Sequence, residues 1–276
     1  MKEVVYLSRL RRDLKRSFAQ TNIDVNDVDC ILMEVLNLDF TQLAKDRLIS
    51  CEEERQIMSC VKERKQGKPV TKIFNKAYFY GYQFFVDNNV LSPRSETELL
   101  VDYALQFVRQ HPQARVIDLC TGSGAIACAI CKKSADFGDL QLFASDISPK
   151  ALAVAKQNAK NLDCDITFVQ SDMFDNLQGN FDLVVSNPPY IETATIQSLD
   201  KEVKDYDPTI ALDGGVDGLD FYRKIKNNLN RLNFGGMCIM EIGYNQGESV
   251  KQIFKEYSPQ IVKDYCNNDR ILIVRK

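Results

Sequence analysis

The chain has 276 residues, 45% of them hydrophobic and 26% charged, with a net charge of −3. That is enough apolar material for one large core and a smaller second one, and the mild acidity gives no general attraction to nucleic acid. With a single histidine, His111, Ser-His-Asp hydrolysis and histidine-based zinc catalysis lose their central residue unless that one supplies it.

Residues 1 to 69 read as a helical bundle. Leu7, Leu10, Leu14 and Phe18 recur at steps of three and four, as do Val28, Ile31, Leu32, Val35 and Leu36, each set forming one apolar stripe. Arg9, Arg11, Arg12, Lys15 and Arg16 cluster on the first helix, as a solvated face or a contact patch for an acidic partner. This basic opening reads as a folded helix rather than a transit peptide, because regular helical patterning follows at once. Ser50 and Glu53 form a capping box for a further helix that stops at Gly67-Lys68-Pro69.

From Val70 to Leu91 the chain turns β-like, dense in Tyr and Phe around Gly81, and residues 70 to 92 are expected to be a β-hairpin linker. Residues 93 to 276 follow as the main domain. After a helix over Glu96 to Gln110, strands and helices alternate, the pattern of a doubly wound parallel α/β sheet. Strands are expected at Arg115 to Leu119, Leu140 to Ser145, Ile166 to Val169, Phe181 to Ser186 and Gly236 to Glu241, with a closing hairpin from Ile261 to Val274. Ser148 caps a helix that has Pro149 at its first position, where the missing N–H costs nothing.

No apolar run is long enough to cross a bilayer, the longest being Ala125 to Cys131. The nine cysteines suit reduced thiols, and Cys128 and Cys131 fall on one apolar helix face as core residues rather than a metal site. A cytoplasmic protein without metal or membrane partner is expected. His111, beside Pro112, reads as a solvated loop residue.

Two segments carry chemistry. Asp118-Leu119-Cys120-Thr121-Gly122-Ser123-Gly124 begins at a strand end and opens a helix, with glycines that let the backbone pass close under a ligand. Asp146 ends the next strand twenty-two residues after Gly124, placed for its carboxylate to take both hydroxyls of a ribose. A nucleoside cofactor is therefore expected. The loop also fits a dinucleotide pattern, but an acid at Asp118 suits a ligand with an ammonium-bearing end and repels a pyrophosphate.

Asn187-Pro188-Pro189-Tyr190 follows directly on another strand. The prolines stiffen the segment and donate no N–H, so the Asn187 side-chain oxygen and the Pro188 carbonyl are acceptors for the two hydrogens of an NH₂ group. Tyr190 offers a ring face to a flat substrate. Together the segments point to methyl transfer from S-adenosyl-L-methionine to an amide or aromatic amine nitrogen, by orientation and electrostatic hold rather than a covalent intermediate. Three readings stay open beside a protein amide: an adenine amine in DNA or RNA, a glutamine on a ribosomal protein, and a non-catalytic cofactor-binding scaffold.

The sequence closely resembles the HemK/PrmC family of release factor glutamine methyltransferases over nearly its whole length. Besides these segments, Gly67-Lys68-Pro69-Val70, Pro93-Arg94 with Glu96-Thr97-Glu98, Tyr206-Asp207-Pro208, Glu241-Ile242-Gly243 with Gln246-Gly247, and Asp269-Arg270 carry the likeness. The resemblance implies a Rossmann-like class I methyltransferase domain behind a small N-terminal helical domain that helps grip the substrate. It implies that the glutamine of the Gly-Gly-Gln motif in class I peptide release factors is the substrate, met by a monomer with no stable nucleic acid partner. It also implies cofactor contacts from Cys120 to Gly124 and at Asp146, Asp172 and Met173, with Asn187 through Tyr190 holding the glutamine. Three positions depart from the family pattern: Cys120 stands at the first motif glycine, Met173 where some relatives carry an aromatic, and Ser95 where proline is usual.

Overall fold

The structure is a computed structural model that describes residues 5–276; residues 1–4 of the expected N-terminal domain lie outside the described residues. The chain divides into two compact units, Met1–Lys76 and Ala77–Lys276.

The first unit holds helices α1 (Leu7–Phe18), α2 (Asp27–Leu36), α3 (Phe40–Leu43), α4 (Cys51–Lys65) and α5 (Val70–Ile73). Two short strands, β1 (Val5–Tyr6) and β2 (Leu48–Ile49), pair antiparallel. The stripe Leu7, Leu10, Leu14 and Phe18 is buried against Val28, Ile31 and Leu32 of α2 and Ile57 and Val61 of α4. Burying side chains of this size stabilises by roughly 2 kcal/mol each. The capping box forms as its spacing requires: Glu53 N–H donates to Ser50 Oγ at 3.2 Å and Ser50 N–H donates to Glu53 Oε2 at 2.8 Å.

Two of the basic residues of α1 serve this fold internally. Arg11 reaches both oxygens of Asp29 at 2.7 Å, and Lys15 reaches the same carboxylate at 2.7 Å. Asp29 lies on α2 with only 7% exposure, so this pairing is what permits its burial.

The stretch after Pro69 corrects the reading that it turns β-like at Val70. Residues Val70–Ile73 form a helical turn, because the Pro69 carbonyl accepts from Lys72 N–H at 2.9 Å and Ile73 N–H at 3.0 Å. Local hydrogen bonding outweighs the strand preference of Val70 and Thr71. The hairpin starts later, with β3 (Lys76–Phe79) and β4 (Tyr82–Phe85), and the unit boundary falls inside the expected linker. Phe79 and Phe84 are buried in the core of the second unit.

That unit contains α6 (Glu98–Gln110), β5 (Arg115–Leu119), α7 (Ala125–Lys133), β6 (Gln141–Asp146), α8 (Pro149–Asn161), β7 (Thr167–Gln170) and β8 (Phe181–Ser186). It continues through α9 (Lys201–Lys204), α10 (Asp220–Asn227), β9 (Leu232–Glu241), α11 (Gly247–Ile253), β10 (Gln260–Lys263) and β11 (Asp269–Arg275). The seven-stranded sheet has the order β10-β11-β9-β8-β5-β6-β7. The strands from β9 to β7 run parallel, and β10 and β11 close one edge antiparallel.

Both faces of the sheet are covered, which explains its near-continuous apolar strands. Leu183, Val185, Ile239, Ile271 and Ile273 face a core shared with α6, α7 and the hairpin. Their sequence neighbours Val184, Cys238, Met240, Leu272 and Val274 face the opposite core, which includes Tyr222 and Ile225 of α10 and Val250 of α11. The alternation is the period of two that a strand demands.

One buried polar residue ties these layers together. Asn158 of α8 accepts from Phe85 N–H at 2.8 Å and donates to the carbonyls of Phe85 and Ser123, each at 2.9 Å. It thereby links the hairpin to the loop that follows β5. Asn158→Ala leaves three backbone groups, one of them buried, without this partner and is expected to lower the unfolding free energy by about 1 to 3 kcal/mol. Urea denaturation of the variant checks this, with a lower midpoint at unchanged slope as the expected result.

Candidate active site

Strand order reverses around β5: the chain steps outward through β6 and β7, then returns to β8 on the other side. Open α/β sheets form a crevice at the carboxyl ends of strands at such a point. Here the loop after β5, the end of β6 and the segment after β8 meet in a cleft of about 1070 Å³, part of it open to solvent.

The loop after β5 takes a left-handed backbone at Cys120 (φ 57°), Gly122 (φ 54°) and Gly124 (φ 79°). Two of its glycines have different reasons. A side chain at Gly122 would find no atom nearer than the Cys120 carbonyl at 4.0 Å, so that face is open. A Cβ at Gly124 would stand 3.1 Å from the Cβ of Ala155, a tight contact, and the left-handed backbone there also favours glycine.

Asp146 is pinned by two backbone donors. Gly122 N–H donates to Oδ2 and Ser148 N–H to Oδ1, each at 2.9 Å, which leaves further lone pairs on both oxygens. Burial pushes its pKa up, against the pull of those two bonds.

Asp118 is placed differently. It is buried and does not line the cleft; its Oδ2 accepts from Thr121 Oγ1 at 2.6 Å and from Ala127 N–H at 3.3 Å, tying the loop to the first turn of α7. Its Oδ1 has no hydrogen-bond partner among the described residues. Burial drives its pKa up to about 7, only partly offset by Thr121 and Ala127, and the charge of Asp146 adds to the rise.

Of the residues expected to contact a cofactor, Cys120 to Ser123, Asp146, Asp172, Met173 and Asn187 line the cleft; Gly124 does not. Met173, also left-handed at φ 49°, is buried, and the Cys120 thiol lies 3.7 Å from its sulfur. Two positions that depart from the family pattern therefore touch each other. Asp172 is paired with Lys224 of α10, whose Nζ lies 2.9 and 3.0 Å from its carboxylate oxygens. Lys224 lines the cleft too.

Of the segment after β8, Asn187 and Pro189 line the cleft, whereas Pro188 and Tyr190 do not. Asn187 Nδ2 donates to Thr97 Oγ1 at 3.3 Å, Thr97 donates to Glu241 Oε2 at 2.6 Å, and the Tyr190 hydroxyl donates to Glu241 Oε1 at 3.3 Å. Burial pushes the Glu241 carboxyl up, and Thr97, the positive Arg270 and Tyr190 draw it back. Burial and the nearby Glu241 charge both push the Tyr190 phenol up, so it remains a donor.

The backbone of Tyr190 is fixed separately. Gln246 Nε2 donates to the Tyr190 carbonyl at 2.9 Å and to the Gly218 carbonyl at 3.2 Å, while its Oε1 accepts from Gly243 N–H at 2.9 Å. A Cβ at Gly214 would lie 2.7 Å from the Tyr190 Cα, and one at Gly218 2.4 Å from the Tyr190 carbonyl oxygen. In the sequence, Thr97, Glu241 and Gln246 stand only within family-like stretches, and Lys224 carries no signal. No spacing signal links them to Asn187, because only the folded sheet brings them together.

The raised pKa of Asp118 makes stability depend on pH. The folded chain holds this proton more tightly than the unfolded one, where an aspartate titrates near about 3.9. The contribution is therefore complete below about pH 4 and is lost as pH rises through about 7. Thermal unfolding followed from pH 4 to 8 is expected to show a decline across this window that is shallower in Asp118→Asn.

Residues 93–202 match the model of the methyltransferase small domain. The release factor glutamine methyltransferase of Agrobacterium fabrum is 36% identical over 262 residues, covering 91% of this chain and 90% of that protein. Those of Thermodesulfovibrio yellowstonii and Bacillus cereus are 36% and 35% identical, each covering at least 92% of this chain and 94% of the relative. Among solved structures, the hMettl16 catalytic domain in complex with MAT2A 3′UTR hairpin 6 has a TM-score of 0.57 at 13% identity, covering 93% of this chain and 94% of that one. The T. thermophilus 16S rRNA N2 G1207 methyltransferase RsmC, in complex with AdoMet and guanosine, has a TM-score of 0.51 at 14% identity, covering 73% of this chain and 49% of that one. These two show the class I methyltransferase fold alone. With a glycine loop, a strand-end carboxylate and Asn187 on one cleft, and with relatives this similar over nine-tenths of its length, the chain belongs to the release factor glutamine methyltransferase family.

Proposed function

We propose that the chain methylates the side-chain amide nitrogen of a glutamine, the one in the Gly-Gly-Gln motif of class I peptide release factors, using S-adenosyl-L-methionine. The observation that carries this reading is that Asn187 shares one cleft with the loop after β5 and with Asp146. The residues fit the cofactor. The face above Gly122 is clear of protein atoms, Asp146 keeps acceptor capacity on both oxygens for a ribose diol, and Met173 provides an apolar wall for a base. When bound there, the cofactor supplies an electrophilic methyl group.

The chain's own part is to hold the acceptor. Asn187 Oδ1 and the Pro188 carbonyl take the two N–H groups of the glutamine amide, which draws the nitrogen lone pair out of conjugation with its carbonyl. Pro188 and Pro189 fix the backbone that carries these acceptors. The extra proton on the methylated nitrogen passes to solvent. Catalysis of this kind rests on orientation and on polar groups set in place before the substrate arrives.

We place the reaction in the cytoplasm, a reading supported by nine cysteines that are all free thiols. The first unit is assigned a part in gripping the release factor, supported by Arg9 and Arg12 of α1, whose side chains are more than half exposed. No helix among the described residues is long and apolar enough to cross a membrane.

The test is transfer of radiolabelled methyl from S-adenosylmethionine to a release factor, to the same factor with its Gly-Gly-Gln glutamine changed to alanine, and to unmethylated DNA and RNA. Label on the intact factor alone is the expected result, and label on nucleic acid overturns the substrate. Asn187→Ala is expected to lower kcat by about a hundredfold while cofactor affinity, measured by calorimetry, stays within about twofold.

A further inference from the structure

We infer that Thr97 and Glu241 are positioning residues that decide which end of the Asn187 amide faces the substrate. This rests on the proposed function, since it concerns how Asn187 receives a substrate NH₂. The two ends of an asparagine amide are nearly the same shape and exchange by a half-turn of the side chain. Only the oxygen end accepts from an NH₂ group; the nitrogen end would meet it donor to donor. Proline rigidity fixes the backbone of this segment but leaves that choice open.

The hydrogen bonds around Thr97 make the choice. Its hydroxyl has one proton and two lone pairs, and the proton goes to Glu241 Oε2 at 2.6 Å. Both Glu241 oxygens are met by hydroxyl donors, Oε2 by Thr97 and Oε1 by Tyr190, so the Thr97 proton is engaged in this bond and is not offered to Asn187. What Thr97 shows to Asn187 is therefore a lone pair, and the contact at 3.3 Å is satisfied only by Nδ2. The opposite orientation would set lone pair against lone pair. With Nδ2 held, Oδ1 is the end left to accept from a substrate.

The direction of this chain originates at Glu241. One carboxylate oxygen accepts from Thr97 and the other from the Tyr190 hydroxyl at 3.3 Å, while Arg270 contributes positive charge. All the protons of the network thus point toward Glu241. A neutral group of the same shape that donates to Thr97 would release the Thr97 proton toward Asn187 and invert the order. Burying a carboxylate is costly, and an apolar residue of similar size would be expected to serve the core at least as well. A fully buried acid at the last position of β9, bonded on both oxygens to groups that lead to Asn187–Tyr190, fits a role in setting polarity.

Three variants of the full chain test this: Thr97→Val, which keeps the shape and removes the hydroxyl; Thr97→Ser, which keeps the hydroxyl; and Glu241→Gln, which replaces an acceptor by a donor. Methyl transfer to the release factor gives kcat and KM, calorimetry gives cofactor affinity, and the ¹⁵N-labelled side-chain amide of Asn187 gives hydrogen-exchange rates by NMR. Thr97→Val and Glu241→Gln are each expected to lower kcat by about tenfold to a hundredfold with cofactor affinity unchanged, and Thr97→Ser to restore most of the loss. Exchange of the Asn187 amide protons is expected to be faster in Thr97→Val than in the wild type or Thr97→Ser. A Thr97→Val enzyme with kcat within about twofold of wild type, or a Thr97→Ser enzyme as impaired as Thr97→Val, overturns the inference. If Glu241→Gln does not fold, the Thr97 pair still decides. If the wild-type chain fails to label the release factor glutamine, the proposed function falls, and the exchange rates alone decide whether Thr97 holds the Asn187 amide.

Discussion

The site depends on one topological constraint, the reversal of strand order around β5. Parallel strands with helices on both faces leave their carboxyl ends uncovered at such a reversal, and the three segments bearing the chemistry all leave the sheet there. Asp146 stands at the end of β6, the left-handed loop follows β5, and Asn187 follows β8. Their side chains are then set by short polar contacts, two backbone donors on Asp146 and the Thr97 hydroxyl on Asn187.

The strands and the two segments of local chemistry were legible in the sequence because they have local signatures. Strand-like stretches alternating with helical ones mark the sheet, a serine and a glutamate three residues apart mark the start of α4, and glycines at a strand end mark a close backbone turn. The helical turn at Val70 was not legible, because Val70 and Thr71 prefer strands while the Pro69 and Val70 carbonyls gather their successors into a turn. The residues behind Asn187 were illegible for another reason. Thr97 lies 90 positions from Asn187 and 144 from Glu241, and nothing local announces that a threonine will give its proton to a buried acid.

The departures from the family pattern are explained in part by one contact. Cys120 adopts the left-handed backbone that a glycine would accept without strain, and its sulfur lies against that of Met173, which is left-handed as well. Both sulfurs are soft and polarisable, and methionine adapts to irregular space better than a flat ring does. The third departure, Ser95, opens the turn that carries Thr97; among the described residues its hydroxyl donates to the neighbouring Glu96 carboxylate at 3.1 Å, and nothing else there accounts for it.

The Thr97–Glu241 bond spans 144 residues of chain, and this has a consequence for how the protein is made. Contacts between distant positions carry a loop-closure entropy that must be met before they reward the fold, and parallel sheets built from them form slowly. A polypeptide emerging from synthesis has the glycine loop, Asp146 and Asn187 well before it has β9. Until that strand docks, the Asn187 side chain lacks the anchor that Thr97 and Glu241 provide together. The cleft is thus assembled from early parts and finished by a late one, so that an incomplete chain lacks the full set of contacts that fixes Asn187.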